Sequence, residues 1–332
     1  MKYIIDGHYD ILMDVAARRK KGERQVIRRR YYPAFQKGGV SGIVASIFVD
    51  SQYLPYGALS VAMEQISALH CEIEETPDLL MLCTSADDFL RAAETGRIGF
   101  LLSFEGAEPV SSCLLLHGFY AAGVRGLGLA WSRRNAAADG CDFSGSLKKG
   151  GLTEFGRELV KEAEDLHMIL DLSHLSDEGV EDVLSITSCP VIASHSNSRA
   201  VAGSNRNLTD CQMREIASRG GTVGLNGCSL LTAGPGVSPD QNGLTAHLDH
   251  MTEIMGEDHV ALGFDFCDSF FADDLSSSTD QMPERPFDIL SGAHEDLPAF
   301  LDHLRQHGYT ESHLVKLAGE NWLHTFRHIL KH

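Results

Sequence analysis

The sequence contains 332 residues, of which 43% are hydrophobic, so it can bury a core large enough for one sizeable domain. Its formal net charge of -18 excludes a general nucleic-acid or anionic-membrane partner, because binding to a polyanion requires a basic surface. No stretch approaches the length of a membrane span, and the eight scattered cysteines form no C-x-x-C pair, which argues against a disulfide or zinc-knot scaffold.

The chain opens with a short apolar run at residues 3–5 that breaks into the polar sequence DGHYD. This pattern is typical of a buried strand that carries polar groups at its C-terminal end. His8 and Asp10 lie two residues apart, so both side chains leave the same side of an extended backbone. An imidazole and a carboxylate that converge in this way suit zinc or a similar divalent metal, although a hydrogen-bonded turn explains the pair equally simply.

A strongly basic segment follows at residues 18–30, and two interpretations of it remain open. In the first, its arginines and lysines form a solvated helix or loop face. In the second, the segment leans over the site opened by the first strand and attracts a substrate carboxylate.

Apolar runs and helical patterns then alternate along the chain. Strands are predicted at residues 40–50, 98–104, 124–131, 168–172, 190–193, 222–225 and 259–263. Helices are predicted at residues 56–75, 117–122, 153–167, 177–186, 208–219 and 244–255. About eight strand-helix units favour closure of a parallel sheet into an α/β barrel of the (β/α)₈ TIM type. An open doubly wound sheet is the competing architecture, but no G-x-G-x-x-G sequence follows an early strand.

The remainder of the chain fits the same single domain, residues 1–332. Residues 297–330 are predicted to form helices that pack on the barrel. The long segment at residues 267–297 has acidic and serine-rich parts, and it could form either a lid over the site or a solvated insertion.

Polar residues follow five of the predicted strands, at the face where barrel enzymes carry their chemistry. They are His8 and Asp10, Glu105, His174, His195 and Asp265. Together they predict a metal site, and the five groups other than Asp265 exceed the three protein ligands that one catalytic zinc ion needs. We therefore expect two Zn²⁺ or other divalent ions bridged by Glu105, with His8 and Asp10 on one ion and His174 and His195 on the other. A water molecule held between the ions would ionise near neutral pH and act as the nucleophile.

The sequence resembles the membrane (renal) dipeptidase family of dinuclear zinc peptidases, which have amidohydrolase-like barrels. The matching stretches follow the order and spacing of the family over nearly the whole chain. They are DGHYD at 6–10, FEGAEP at 104–109, GVRGLGLAW at 123–131, GLTEFGRELV at 151–160, DLSHLSDE at 171–178, PVIASHSNSRAV at 190–201, SNRNLTD at 204–210, LGFDF at 262–266 and GENWLH at 319–324.

The resemblance implies hydrolysis of dipeptides, including those whose C-terminal residue has the D configuration. By similarity, Arg206 holds the substrate carboxylate, a role that suits the guanidinium fork. Asp265 takes a proton from the bridging water and passes it to the leaving amine, while Glu105 contributes to catalysis as the bridge. Trp131 stands where mammalian members carry a histidine that contacts the substrate. An indole has one donor and no titratable group, so it cannot replace the imidazole as a charge stabiliser.

The mammalian relatives are secreted and lipid-anchored, but this sequence shows neither a leader nor an anchor signal. It therefore resembles the bacterial cytosolic branch, which implies a cytoplasmic location and a homodimer. Two other functions remain open from the residues alone. The barrel could act on another small amide such as an N-acyl amino acid, which Trp131 and the basic segment favour. It could also bind metal without turnover, which the presence of Asp265 and Arg206 argues against.

Overall fold

The computed structural model describes residues 3–142, 150–271 and 287–331, and it confirms the predicted parallel barrel. All pairings between the strands of the sheet are parallel. The strands are β1 (Ile5–Tyr9), β2 (Gly42–Ile47), β3 (Leu80–Leu82), β4 (Ile98–Glu105), β5 (Val124–Gly128), β6 (Ile169–Asp171), β7 (Ile192–Ala193), β8 (Thr222–Leu225) and β9 (Val260–Leu262).

Eight strands follow one another around the barrel in the order β1-β2-β4-β5-β6-β7-β8-β9. The short strand β3 lies outside this order and pairs only with the start of β4, where Leu80 faces Ile98. The sequence pattern did not predict β3, because three residues are too few to display an alternating pattern. The eight other strands lie within or beside the predicted ranges.

The barrel is nearly closed, and hydrogen bonds join its first strand to the segment that follows its last strand. One carboxylate oxygen of Asp6 in β1 accepts a hydrogen bond from the Phe264 N–H at 2.9 Å. Beyond the end of β9, the Asp265 N–H donates to the His8 carbonyl oxygen at 3.3 Å. These contacts hold the C-terminal ends of β1 and β9 side by side, although the two strands form no regular ladder in the described residues.

Burial explains why the strand sequences are apolar almost throughout. Every residue of β2 and β4 is buried, so each strand is covered on both faces. This is the pattern of parallel strands that have helices on the outer face and packed side chains inside. Polar residues enter mainly at the C-terminal ends, where the side chains face the mouth of the barrel.

The helices form the outer layer. The helices are α1 (Ile11–Lys20), α2 (Tyr32–Gly38), α3 (Ala58–Glu75), α4 (Ala86–Glu94), α5 (Cys113–Ala121), α6 (Glu154–Asp165), α7 (Asp177–Ile186), α8 (Asp210–Ser218), α9 (Ser229–Thr232), α10 (Gln241–Met255), α11 (Asp268–Phe271), α12 (Leu297–His307), α13 (Glu311–Val315) and α14 (Asn321–Ile329). Five of them, α1, α2, α4, α9 and α11, were not predicted, although Ser85 and Asp88 form a capping box at the start of α4. Short 3₁₀ turns occupy Ser51–Tyr53 and Ala293–Asp296, and π-helical turns occupy Ile27–Tyr31 and Lys316–Glu320.

The basic segment at residues 18–30 pairs with acidic side chains of the helix layer. Arg19 contacts both Glu72 and Glu75 at the end of α3. Arg18 is buried against Asp14 in its own helix, at 2.7 Å. These ion pairs support the interpretation of the segment as a helix and loop face, since the two arginines bind acidic residues of α1 and α3.

The last helix, α14, packs against β8 and β9 of the barrel. Trp322 in α14 is fully buried, and its indole N–H donates to the Leu262 carbonyl oxygen at 2.8 Å. Gly7 of β1 lies against this indole, since a Cβ atom at that position would come within 2.4 Å of the Trp322 ring. Residues 272–286 of the predicted lid or insertion lie outside the described residues. Within the described ranges, no helix is both long enough and apolar enough to cross a membrane.

Candidate metal centre

The C-terminal ends of five barrel strands converge on one cluster of imidazoles and carboxylates. Because parallel strands all end at the same face, their last side chains meet around the barrel axis. The structure brings together all six residues that the sequence pattern selected. They are His8 and Asp10 at the end of β1, Glu105 at the end of β4, His174 after β6, His195 after β7 and Asp265 after β9.

Glu105 lies at the centre of this cluster, with its two oxygens directed to different neighbours. Its Oε2 is 3.5 Å from His8 Nε2, which is itself 3.7 Å from Asp10 Oδ1. Its Oε1 is 2.8 Å from His174 Nε2 and 3.5 Å from His195 Nε2. Two groups with the spacing of metal ligands therefore share the Glu105 carboxylate.

Two buried polar atoms of the cluster lack a hydrogen-bond partner among the described residues, as expected of atoms that bind metal ions. They are His8 Nε2 and Asp10 Oδ1. Burial and the charge of Asp10 raise the pKa of Glu105 to about 8, although His8 opposes the shift, so the protein alone stabilises an ionised carboxylate poorly at this position. Nitrogen and oxygen ligands of this kind suit zinc and similar divalent ions. The residues present therefore fit a metal centre.

The protonation of two of the histidines, His174 and His195, is consistent with ligand roles. Burial lowers the pKa of His174 and His195 well below the ordinary value, and the nearby positive charge of Arg206 adds to this effect. Both imidazoles are thus held neutral, with a nitrogen lone pair available. Burial also disfavours a charge on His8, but the carboxylates of Glu105 and Asp10 outweigh it and raise the pKa of His8 well above the ordinary value.

Three serines orient the cluster, and the sequence analysis did not identify them. The Ser132 hydroxyl lies 2.8 Å from His174 Nδ1, and the Ser194 hydroxyl lies 2.7 Å from His195 Nδ1. These contacts occupy the outer nitrogen of each ring and leave Nε2 facing the centre. The Ser46 hydroxyl donates to Glu105 Oε2 at 3.0 Å. No spacing rule marks Ser46 or Ser132, because their partners are distant in sequence. Ser194 directly precedes His195, and only the folded backbone turns its hydroxyl to the Nδ1 atom of that ring.

Two of the site residues adopt a left-handed backbone conformation. His174 has φ 68° and Asp265 has φ 60°. This conformation costs an L-residue about 1–3 kcal/mol, and such residues concentrate at functional sites. At both positions the chain leaves its strand sharply, which turns the side chain back toward the barrel axis.

Asp265 lies at the edge of the cluster. Its Oδ1 is 3.8 Å from His8 Nε2, and its Oδ2 accepts a hydrogen bond from the Asn226 amide at 3.0 Å. Burial raises the pKa of Asp265 to about 6, with His8 opposing the shift and Asp10 adding to it. A carboxyl group with such a pKa can both accept and donate a proton near neutral pH.

The side chain of Arg206 is buried beside the histidines. Its guanidinium donates to the Ser196 hydroxyl and to the His195 carbonyl oxygen, each at 2.8 Å. Trp131 is half-buried on the other side of the cluster, and its ring centroid is 5.7 Å from that of His174. Both predicted substrate-binding residues thus lie beside the candidate metal centre.

Comparison with known proteins gives matches over the whole chain. A sequence profile of the membrane dipeptidase family of peptidases matches residues 2–331. A Klebsiella pneumoniae protein, described as an uncharacterized protein in the pqqA 5′ region, is 33% identical over 283 residues, which cover 83% of this chain and 98% of the relative.

Two solved structures share the fold and have similar sequences. The metallopeptidase named dipeptidase AC is 30% identical with a TM-score of 0.84, covering 99% of this chain and 98% of that chain. A Rhodobacter sphaeroides metallopeptidase, solved with a phosphinate mimic of the dipeptide L-Ala-D-Ala, is 29% identical with a TM-score of 0.83, covering 98% of this chain and 99% of that chain. The profile and both structures extend across the barrel and the candidate metal centre. The chain therefore belongs to the membrane dipeptidase family of metallopeptidases.

Proposed function

We propose that this protein hydrolyses dipeptides with two divalent metal ions, zinc in the first instance, that share the Glu105 carboxylate. The observation that carries the proposal is the position of Glu105, whose two oxygens face two separate ligand groups. His8 and Asp10 would hold one ion together with Oε2, and His174 and His195 would hold the other together with Oε1. Bound in this way, the ions would polarise the scissile carbonyl group and lower the pKa of a shared water molecule so that it attacks as hydroxide.

The side chains around the centre would orient the substrate. Arg206 would bind the C-terminal carboxylate of the dipeptide, because a buried guanidinium forms strong charge-assisted hydrogen bonds with a carboxylate. This contact would place the peptide bond over the cluster. Selection of substrates as short as two residues would follow, because the carboxylate must lie one residue away from the bond that is cleaved.

Asp265 would transfer the proton that hydrolysis requires. As a carboxylate it would accept a proton from the attacking water, and as a carboxylic acid it would then donate that proton to the leaving nitrogen. Its hydrogen bond with Asn226 holds the second oxygen, which leaves Oδ1 directed toward the cluster. The raised pKa of Asp265 favours this exchange near neutral pH.

The substrates would include dipeptides with a C-terminal D-residue. Support comes from the Rhodobacter sphaeroides relative, whose structure contains a mimic of L-Ala-D-Ala. A second candidate function, hydrolysis of N-acyl amino acids, is kept because the Trp131 indole borders the cluster and provides an apolar surface for an acyl group. Both functions would use the same metal centre and the same carboxylate contact.

The test is hydrolysis by zinc-loaded protein of matched L,L-dipeptides, L,D-dipeptides and N-acetyl amino acids, with metal-stripped protein as the control. We expect release of free amino acids from both dipeptide series only when metal is present. Faster cleavage of the N-acetyl compounds would favour the second candidate. Metal-bound protein that cleaves none of these amides would refute both.

A further inference from the structure

Two aromatic side chains form a half-buried surface at the mouth of the barrel. Phe48 follows β2 and Trp131 follows β5, and their ring centroids are 5.4 Å apart. We call these two rings the aromatic wall. The strands that carry them are buried, but both residues are partly exposed. Trp131 extends this surface to the metal centre through its contact with His174.

Arg133 holds the aromatic wall in place. Its guanidinium carbon is 5.0 Å from the Trp131 ring centroid and 5.7 Å from that of Phe48, so the cation covers both rings. One terminal nitrogen of Arg133 donates to the Val49 carbonyl oxygen at 2.6 Å. The Nε atom lies 3.1 Å from a carboxylate oxygen of buried Glu108. These contacts make Arg133 a positioning residue for the wall.

The charge of Arg133 is balanced locally. Glu108 is buried, and although burial raises the pKa of its carboxyl group, the charge of Arg133 opposes that shift. Because the Glu108 carboxyl oxygen lies 3.1 Å from Arg133 Nε, the ionised pair presents little net charge to a bound molecule. The surface beside it is apolar and aromatic, so the wall suits a ring or a large apolar group better than a carboxylate or an ammonium group.

The strand order sets the direction in which this wall faces. β4 lies between β2 and β5, and the wall therefore lies above β4. Arg206 follows β7 and Asp265 follows β9, which places both on the opposite arc of the ring, around β8. A dipeptide with its carboxylate on Arg206 and its leaving nitrogen toward Asp265 extends its N-terminal residue across the cluster toward the wall.

We infer that the aromatic wall is the binding surface for the side chain of the N-terminal residue and that it selects dipeptides with an aromatic residue at that position. The inference rests on the proposed function and specifies its substrate class. An aromatic ring gains ring-ring contact with Trp131 and Phe48 that a methyl group cannot make. We expect kcat/KM for Phe-Ala to exceed that for Ala-Ala by about tenfold or more.

The experiment compares Phe-Ala, Leu-Ala, Ala-Ala, Glu-Ala and Lys-Ala with zinc-loaded protein. The measured quantity is the ratio of kcat/KM for Phe-Ala to that for Ala-Ala. Trp131→Ala and Phe48→Ala should bring this ratio close to one. Leu114→Ala, which removes an exposed side chain of the outer helix α5, is the matched control and should leave it unchanged. Arg133→Ala should lower the ratio through KM, and Arg133→Lys should restore part of it.

Fluorescence quenching gives a readout that does not depend on turnover. The chain has two tryptophans, and Trp322 is fully buried, so acrylamide should quench mainly Trp131. The phosphinate analogue of Phe-Ala should protect the Trp131 fluorescence from acrylamide more strongly than the analogue of Ala-Ala.

Two results would overturn the inference even if the protein cleaves dipeptides. They are equal protection by the two analogues and a kcat/KM ratio near one in the unmodified protein. A preference for Glu-Ala would also overturn it and would assign Arg133 to an anionic side chain. Absence of cleavage of every dipeptide would instead refute the proposed function.

Discussion

Asp6 provides a test of how the barrel supports its candidate metal centre. The residue is almost fully buried, and its carboxylate accepts three hydrogen bonds. Oδ1 accepts from the N–H groups of His8 at 3.3 Å and Phe264 at 2.9 Å, and Oδ2 lies 2.8 Å from His294 Nε2. These contacts join β1, the segment after β9 and the turn that precedes α12. Asp6→Ala would leave three buried donors without an acceptor.

The expected loss of stability follows from the number of those donors. Each buried donor left unsatisfied costs about 1–3 kcal/mol, and because neighbouring effects do not add fully we expect a total of about 3–6 kcal/mol. For a chain of this length, such a change lowers the melting temperature by about 4–9 °C. Asp6→Asn is the matched control, since it keeps an acceptor for both N–H groups. Its loss of stability should be less than half that of Asp6→Ala. Only the contact with His294 changes, because the Asn amide N–H would have to donate to Nε2.

Urea denaturation of metal-free protein, followed by circular dichroism, measures these differences without a contribution from metal binding. Equal stability of Asp6→Ala and the unmodified protein would refute the reasoning that Asp6 joins the two ends of the sheet. Equal losses in the Asn and Ala variants would show that charge rather than the N–H contacts is responsible.

Three further predictions concern the centre itself. Asp265→Asn should lower kcat by about 10²–10⁴-fold in steady-state assays while zinc content stays constant, and full activity would remove Asp265 from proton transfer. Arg206→Lys should raise KM for dipeptides by about tenfold or more, because an ammonium group cannot form the guanidinium fork; an unchanged KM would contradict carboxylate binding there. Ser132→Ala or Ser194→Ala should weaken zinc affinity about 10–100-fold in competition with a chelator, and unaltered affinity would show that neither serine orients its imidazole.

The sequence predicted the fold and the position of the candidate site for one physical reason. In a parallel barrel all strands end at the same face, so polar residues that terminate separate apolar runs must meet there. His174 and His195 illustrate this, since each follows a short apolar strand and the two Nε2 atoms lie 3.0 Å apart. The roles of these residues as ligands, the number of ions and the homodimer stay predictions.

Features that depend on distant contacts could not be predicted from local patterns. Ser132 is an ordinary loop residue until the fold places its hydroxyl behind His174. The same holds for Asp6, because the partner His294 lies near the other end of the chain. Helix α4 is a different case, since Ser85 and Asp88 carry a capping signal that is local to the sequence.

The most direct test of the account is the zinc content of purified protein after zinc loading and desalting, measured together with that of Glu105→Gln. Two ions per chain in the unmodified protein, and loss of at least one in the variant, are predicted because a neutral amide cannot bridge two cations as a carboxylate does. One ion or none in the unmodified protein would contradict the shared centre. Two tightly bound ions in Glu105→Gln would likewise contradict the role of Glu105 as the bridge.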